Sequence, residues 1–152
     1  MNKMKVGIIG CGNISAVYFK NIKAYRAIEV AACSDLDMER AKVRAHEFGV
    51  PKACPVDELL ADPEIDLVIN LTIPAAHAEV CLKALAAGKH VYVEKPLAVT
   101  REDGRQILRL AAEKGLRVGS APDTFLGGGI QTCVKLIRDG WIGEPVAAAA
   151  FM

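Results

Sequence analysis

Residues 6–15 read VGIIGCGNIS, an aliphatic run that ends in closely spaced glycines at positions 7, 10 and 12. A glycine inside a strand or helix costs roughly 0.5–1 kcal/mol of stability, so such a cluster marks a place where the chain needs bare backbone. In a strand, loop and helix unit, Gly10 permits the tight turn and Gly12 lets the backbone come close to a pyrophosphate. The amides that open the next helix then supply donors and the positive end of its dipole. The pattern is GxGxxS, and its third position, where helix and strand must pack closely, is Ser15, a small side chain that fits there.

Working outward, the next aliphatic run, VAACSD, ends at Asp35. A carboxylate at the end of a second strand accepts hydrogen bonds from the adenosine ribose hydroxyls of a dinucleotide. The competing role for Asp35 is an acid at the N-terminus of a helix over Met38–Phe48. Taken with the loop, the ribose role is preferred. A carboxylate repels a 2′-phosphate, which favours NAD, while Arg40 and Lys42 nearby keep NADP open. The loop alone leaves S-adenosylmethionine open as well.

The rest of the chain alternates short aliphatic runs with segments of helical period, the pattern of repeated βαβ units. Lys5–Gly10, Glu29–Ser34, Ile65–Leu71, His90–Val93 and Leu116–Ser120 read as strands. Their apolar residues are consecutive, as in strands covered on both faces. Ile14, Val17, Tyr18, Ile22 and Tyr25 keep helical spacing, as do Val80, Cys81, Ala84 and Leu85. Gly88 stops the helix that starts near Ala75. Thr100 and Asp103 form a capping box for a helix that Gly115 ends, and Ile130, Cys133, Val134 and Ile137 line a helix closed by Gly140. The expected fold is α/β, a Rossmann-type doubly wound, mostly parallel sheet with helices on both faces. Residues 1–145 form the dinucleotide-binding domain. The apolar run 146–152 reads as the first strand of a further domain for substrate binding and oligomerisation that this chain does not contain.

With 152 residues, 52% hydrophobic, 24% charged and a net charge of +1, the composition gives no bulk attraction to nucleic acid or to an acidic membrane. No apolar run approaches the roughly 20 residues that span a bilayer, and a cytoplasmic location is expected. Five scattered cysteines without a CxxC pair read as small buried hydrophobes in a reducing compartment, with no metal site.

Two further strand ends carry chemistry. HVYVEKPLAV ends its strand at Glu94, Lys95 and Pro96, where ligands of open α/β sheets bind. Lys95 is a candidate acid or base, and its bond to Pro96 is one that can be cis. The plainer alternative is an exposed lysine paired with Glu94. INLTIPAAHAEV sets Thr72 and Pro74 just past the sheet, as a lining for the cofactor site, and His77 in the first turn of a helix. For His77 a local hydrogen bond at the helix start is preferred over a role as catalytic base.

GIIGCGNIS with Asp35, LTIPAAH and VEKP, in this order and at these separations, resembles the N-terminal domain of the glucose-fructose oxidoreductase, inositol dehydrogenase and MocA family. The segment GSAPDTFLGGGIQTCVKLIRDGWIGEP resembles the crossover into that family's second domain. The resemblance covers nearly the whole chain, and EKP is its most specific element. It implies that Gly10, Gly12, Asn13 and Ile14 contact the pyrophosphate and that Asp35 contacts the ribose. Thr72, Pro74, His77 and Glu94 then belong to the cofactor site, and Lys95 meets the nicotinamide side and the substrate hydroxyl. The implied activity is reversible oxidation of a secondary alcohol on a sugar, cyclitol or related polyol, by a full-length form that is a homo-oligomer. Asp123, in the crossover, is a partner for a substrate hydroxyl, with a glycine-rich hinge over Gly127–Gly129 as the alternative. The competing function is a dinucleotide sensor without catalysis, for which a basic group beside the nicotinamide has no use.

Overall fold

Strand β1 (Met4–Ile9) is central and parallel to both its neighbours, β2 (Ile28–Ser34) and β4 (Leu67–Asn70). The structure, a computed structural model, describes residues 3–122 and 124–151. Its six-stranded sheet has the order β3-β2-β1-β4-β5-β6, with β3 at Lys52–Ala53, β5 at His90–Val93 and β6 at Val118–Ser120. All pairings are parallel. This is the doubly wound order, whose strand sequence reverses between β1 and β4.

The helices are α1 (Ser15–Ile22), α2 (Met38–Phe48), α3 (Val56–Ala61), α4 (His77–Ala86) and α5 (Arg101–Glu113). Two apolar cores explain why the strand residues are consecutive hydrophobes. Val6, Ile8, Cys33 and Ile69 pack with Phe19 and Ile22 of α1 and Ala41 and Ala45 of α2. Ile9, Ala32 and Val68 pack with Leu59 of α3, Cys81 and Leu85 of α4 and Ile107 of α5. Successive residues of one strand point to opposite faces, so each strand feeds both cores.

The expected punctuation is present. Thr100 Oγ1 accepts from the Asp103 amide at 3.1 Å and donates to the Asp103 carboxylate at 2.7 Å. Gly88 and Gly115 take positive φ just past α4 and α5. Two short elements, β3 and α3, lie between Val50 and Ala61, a stretch with no periodic signal. The helix expected near Ala75 starts as a 3-10 turn over Pro74–Ala76 and becomes α-helical at His77.

The chain divides into two compact units, Met1–Ala121 and Pro122–Met152. The second holds a 3-10 turn at Thr124–Leu126 and helix α6 (Gly128–Arg138), whose last turn leads to Gly140 with φ +81°. Of its expected apolar face, Val134 is half-buried and Ile130, Cys133 and Ile137 are exposed. Residues 146–151, expected to be strand-like, carry no strand pairing and are exposed. Among the described residues no helix is long and apolar enough to cross a membrane.

Candidate functional site

The carboxyl ends of β1, β2, β4 and β5 bring the sequence motifs to one edge of the sheet. At the end of β1, Gly10 has φ +103° and its amide donates to Ser34 O at 2.8 Å. A Cβ on Gly10 would lie 2.6 Å from the carbonyl carbon and oxygen of Leu71 and 2.8 Å from the Thr72 amide. Gly10 therefore does more than turn the chain: it lets the β1 and β4 ends touch. At Gly12 a Cβ would meet nothing within 4 Å, so that glycine faces open space. Its carbonyl is held by Ser15, whose hydroxyl donates at 2.6 Å and whose amide donates at 3.2 Å. Ser15 is fully buried, which is the close helix-to-strand packing the third motif position requires.

The amides of Gly12, Asn13 and Ile14 have no hydrogen-bond partner among the described residues, and Asn13 and Ile14 are exposed. They lie at the opening of α1, beside a cleft of about 640 Å³ lined by Cys11, Gly12, Asn13, Arg40, Val43 and Arg44. Free amides, an uncovered glycine and two guanidinium groups make a cradle for a phosphate-bearing ligand, so the residues present fit a dinucleotide pyrophosphate. Cys11, between the two loop glycines, is buried, and its thiol is pushed up by the neighbouring Cys33 thiol and then by burial.

Asp35 does not cap α2. That role belongs to Asp37, whose side chain accepts from the Glu39 and Arg40 amides. Asp35 instead grips the glycine loop: one carboxylate oxygen accepts from the Cys11 amide at 2.7 Å and the other from the Asp37 amide at 2.9 Å. Arg40 lies 3.6 Å from Asp35 Oδ1 and 3.6 Å from Asp37 Oδ2. Lys42 is turned to Glu39 at 2.7 Å, which leaves Arg40 as the cation of that pair beside Asp35.

At the ends of β4 and β5 the structure supplies residues that sequence patterns missed. Asn70 is fully buried; its amide donates to His77 O and its carbonyl oxygen accepts from the Thr72 hydroxyl at 2.7 Å and the Thr72 amide at 3.1 Å. Pro74 is exposed at the head of the 3-10 turn. His77 is 1% exposed, with Nδ1 2.6 Å from Pro96 O and Nε2 3.0 Å from Thr72 O. Its ring lies inside the fold and ties the two loops together, a longer reach than the local helix-start bond expected for it. A neutral ring has one N–H and donates to one of these carbonyls; a protonated ring donates to both.

Glu94 is not paired with the Lys95 amine. One of its oxygens accepts from the Tyr18 hydroxyl at 2.8 Å, and the other accepts from the Lys95 amide at 2.9 Å. Lys95 is exposed, its ε-amine has no ion-pair partner among the described residues, and its bond to Pro96 is cis. Tyr18 and Asn70 could be suspected only as polar groups inside apolar segments, since their partners are 76 and 2 to 11 residues away. Asp123 lies outside the described residues. A second cleft of about 560 Å³, bordered by Lys5, Lys23, Phe48, Lys52 and Glu64, contains none of the predicted site residues.

A family model described as an oxidoreductase family with an NAD-binding Rossmann fold matches residues 4–121. The chain is 36% identical over 148 residues to a 1,5-anhydro-D-fructose reductase of Ensifer adhaerens, across 95% of this chain and 44% of that protein. It is 32% identical over 153 residues to an inositol 2-dehydrogenase/D-chiro-inositol 3-dehydrogenase of Lacticaseibacillus casei, across 97% of this chain and 44% of that protein. It thus spans less than half the length of these relatives. Among solved structures, a 3-ketoreductase from Actinomadura kijaniata in complex with NADP superposes with a TM-score of 0.87 at 31% identity, over 94% of this chain and 46% of that one. With the sheet order, the glycine loop and the match over the first unit agreeing, the chain belongs to the glucose-fructose oxidoreductase, inositol dehydrogenase and MocA family of NAD(P)-binding oxidoreductases.

Proposed function

We propose that this chain is the cofactor-binding part of an NAD(P)-dependent dehydrogenase that acts on a secondary alcohol of a sugar, cyclitol or related polyol. The observation that carries the reading is the Lys95 amine, exposed at the carboxyl end of β5 and without an ion-pair partner among the described residues. It belongs to the same row of strand ends as the glycine loop. An ordinary surface lysine beside a carboxylate pairs with it; here Glu94 is engaged elsewhere.

Bound NAD(P) supplies the hydride acceptor or donor. The amides of Gly12, Asn13 and Ile14 receive its pyrophosphate, and the Asp35 carboxylate, already fixed by two backbone amides, accepts from the ribose hydroxyls. Thr72 and Pro74 border the same site, with Asn70 fixing the Thr72 hydroxyl and amide. The Lys95 ε-amine exchanges a proton with the substrate oxygen, a role worth typically 10²–10⁴-fold in rate. Asp123 is a further candidate partner for a substrate hydroxyl. The substrate class is supported by the names of relatives that reduce an anhydrofructose or oxidise inositol. A cytoplasmic location is supported by the free cysteines, four of them buried, and a homo-oligomeric full-length form by the family resemblance.

Calorimetric titration of the purified chain with NAD, NADP and S-adenosylmethionine, beside Asp35→Ala, tests the cofactor half. Binding of a nicotinamide dinucleotide, weakened about tenfold for NAD in the variant, is the expected result. Binding of S-adenosylmethionine alone, or of no nucleotide by a folded chain, overturns it. For the catalytic half, Lys95→Met in the full-length protein is expected to lower turnover at saturating cofactor at least about 100-fold while weakening the cofactor no more than about tenfold; unchanged turnover favours the sensor.

A further inference from the structure

We propose that Tyr18 is a positioning residue for Lys95, acting through the Glu94 carboxylate, so that the helix opening on the glycine loop also sets the direction of the lysine. This inference rests on the role assigned to Lys95 above. Tyr18 stands in the first turn of α1, three residues past Ser15, and its hydroxyl crosses 76 residues of sequence to donate to Glu94 Oε1 at 2.8 Å. The second oxygen of the same carboxylate accepts from the Lys95 amide at 2.9 Å. One carboxylate therefore spans α1 and the backbone of Lys95.

The segment is held on its other sides too. The Glu94 amide donates to Asn70 O at 3.0 Å, and Pro96 O lies 2.6 Å from the buried His77 ring. Lys95 sits between two anchored neighbours, and its amine is left without an ion-pair partner among the described residues. A glutamate next to a lysine has an obvious competing use, an ion pair with the ε-amine. The phenol opposes that pairing because it keeps the carboxylate turned to α1 and to the backbone. Without the hydroxyl, Glu94 is free to swing toward the amine, which would draw Lys95 away from the nicotinamide end of the cofactor. The pyrophosphate end, bound by loop amides, would not change. Tyr18 thus connects the two ends of the site without touching the reacting atoms.

The test compares two ligands that share the pyrophosphate and adenosine ribose but differ at the nicotinamide: NAD and ADP-ribose. Both are titrated against the unaltered chain, Tyr18→Phe and Glu94→Gln, and the Lys95 amide is followed by NMR. Tyr18→Phe keeps the ring and removes one hydroxyl; Glu94→Gln keeps the shape but leaves one acceptor oxygen where two are used. Both variants are expected to weaken NAD about three- to tenfold, to leave ADP-ribose within about twofold, and to shift the Lys95 amide resonance and speed its exchange. A merely structural hydroxyl would weaken both ligands alike, and that outcome overturns the proposal. So does an NAD affinity that stays within about twofold in both variants. If the unaltered chain binds neither ligand, the cofactor reading fails by itself; the Lys95 amide then decides the link to Tyr18, which an unmoved resonance overturns and a shifted one upholds.

Discussion

At the scale of single residues, the two loop glycines serve different needs. Gly10 faces backbone at 2.6 Å and has a positive φ, so neither the space nor the conformation admits a side chain. Gly10→Ala is expected to cost on the order of 3 kcal/mol or more in stability, read by denaturant unfolding. Gly12 faces open space, so Gly12→Ala is expected to melt within a few degrees of the parent while losing cofactor affinity, because its methyl projects where the pyrophosphate must approach. Equal destabilisation by the two changes would show that Gly12 too is structural. The cysteines divide in a similar way. Cys11, Cys33, Cys54 and Cys81 are buried and Cys133 is exposed. Burial pushes the Cys81 thiol up, and its neighbour Cys33 together with burial does the same to Cys11. Because burial keeps the other four thiols out of reach of the reagent, iodoacetamide at pH 8 is expected to modify Cys133 alone until denaturant is added. Modification of Cys11 in the folded chain would mean that the glycine loop opens on its own.

At the scale of elements, legibility followed length and locality. The β1, α1 and β2 unit could be read because its aliphatic runs are long and its glycines cluster in one local pattern, with Gly10 forced by its contact with the end of β4. β3 has two residues and α3 has six, less than two helical turns, so neither carries a period to detect; they exist because β3 pairs with Ala32 and Cys33 and because Leu59 is buried against β1 and its neighbours. Roles that depend on a local pattern, such as the Thr100 cap, were visible. Roles set by tertiary partners were not: Tyr18 reads as one more apolar position of α1 until its hydroxyl is seen on Glu94. The pair Asp35 and Asp37 shows the same limit, since both stand before α2 and only the structure assigns the cap to Asp37. Asp37→Ala is therefore expected to lower stability by about 1 kcal/mol with NAD affinity preserved, whereas Asp35→Ala strikes the loop and the affinity together. Thermal melts and titration of the two variants side by side check the assignment, and loss of affinity in Asp37→Ala would overturn it.

At the scale of the molecule, the core and the candidate site occupy one unit. Every buried residue among those described lies at or before Ala121, and the family match ends at that same residue. The sequence places the boundary at residue 145, where an apolar run begins. From Pro122 onward the described residues other than Val134 are exposed, Trp141 and Ile142 more fully than Ile130 and Ile137 of α6. An eleven-residue helix such as α6 is marginal in water without tertiary packing. The physical expectation is that a chain ending at Ala121, whose amide still closes the ladder onto Val93 O, folds cooperatively. Its melting temperature should fall within a few degrees of the 152-residue chain and its NAD affinity within about twofold, because Gly12, Asp35, Thr72 and Lys95 all precede the cut. Differential calorimetry and titration on the two lengths decide this. A broad, non-cooperative melt of the shorter chain would mean that residues 122–152 complete the folding unit, and would return the domain boundary to the region of residue 145.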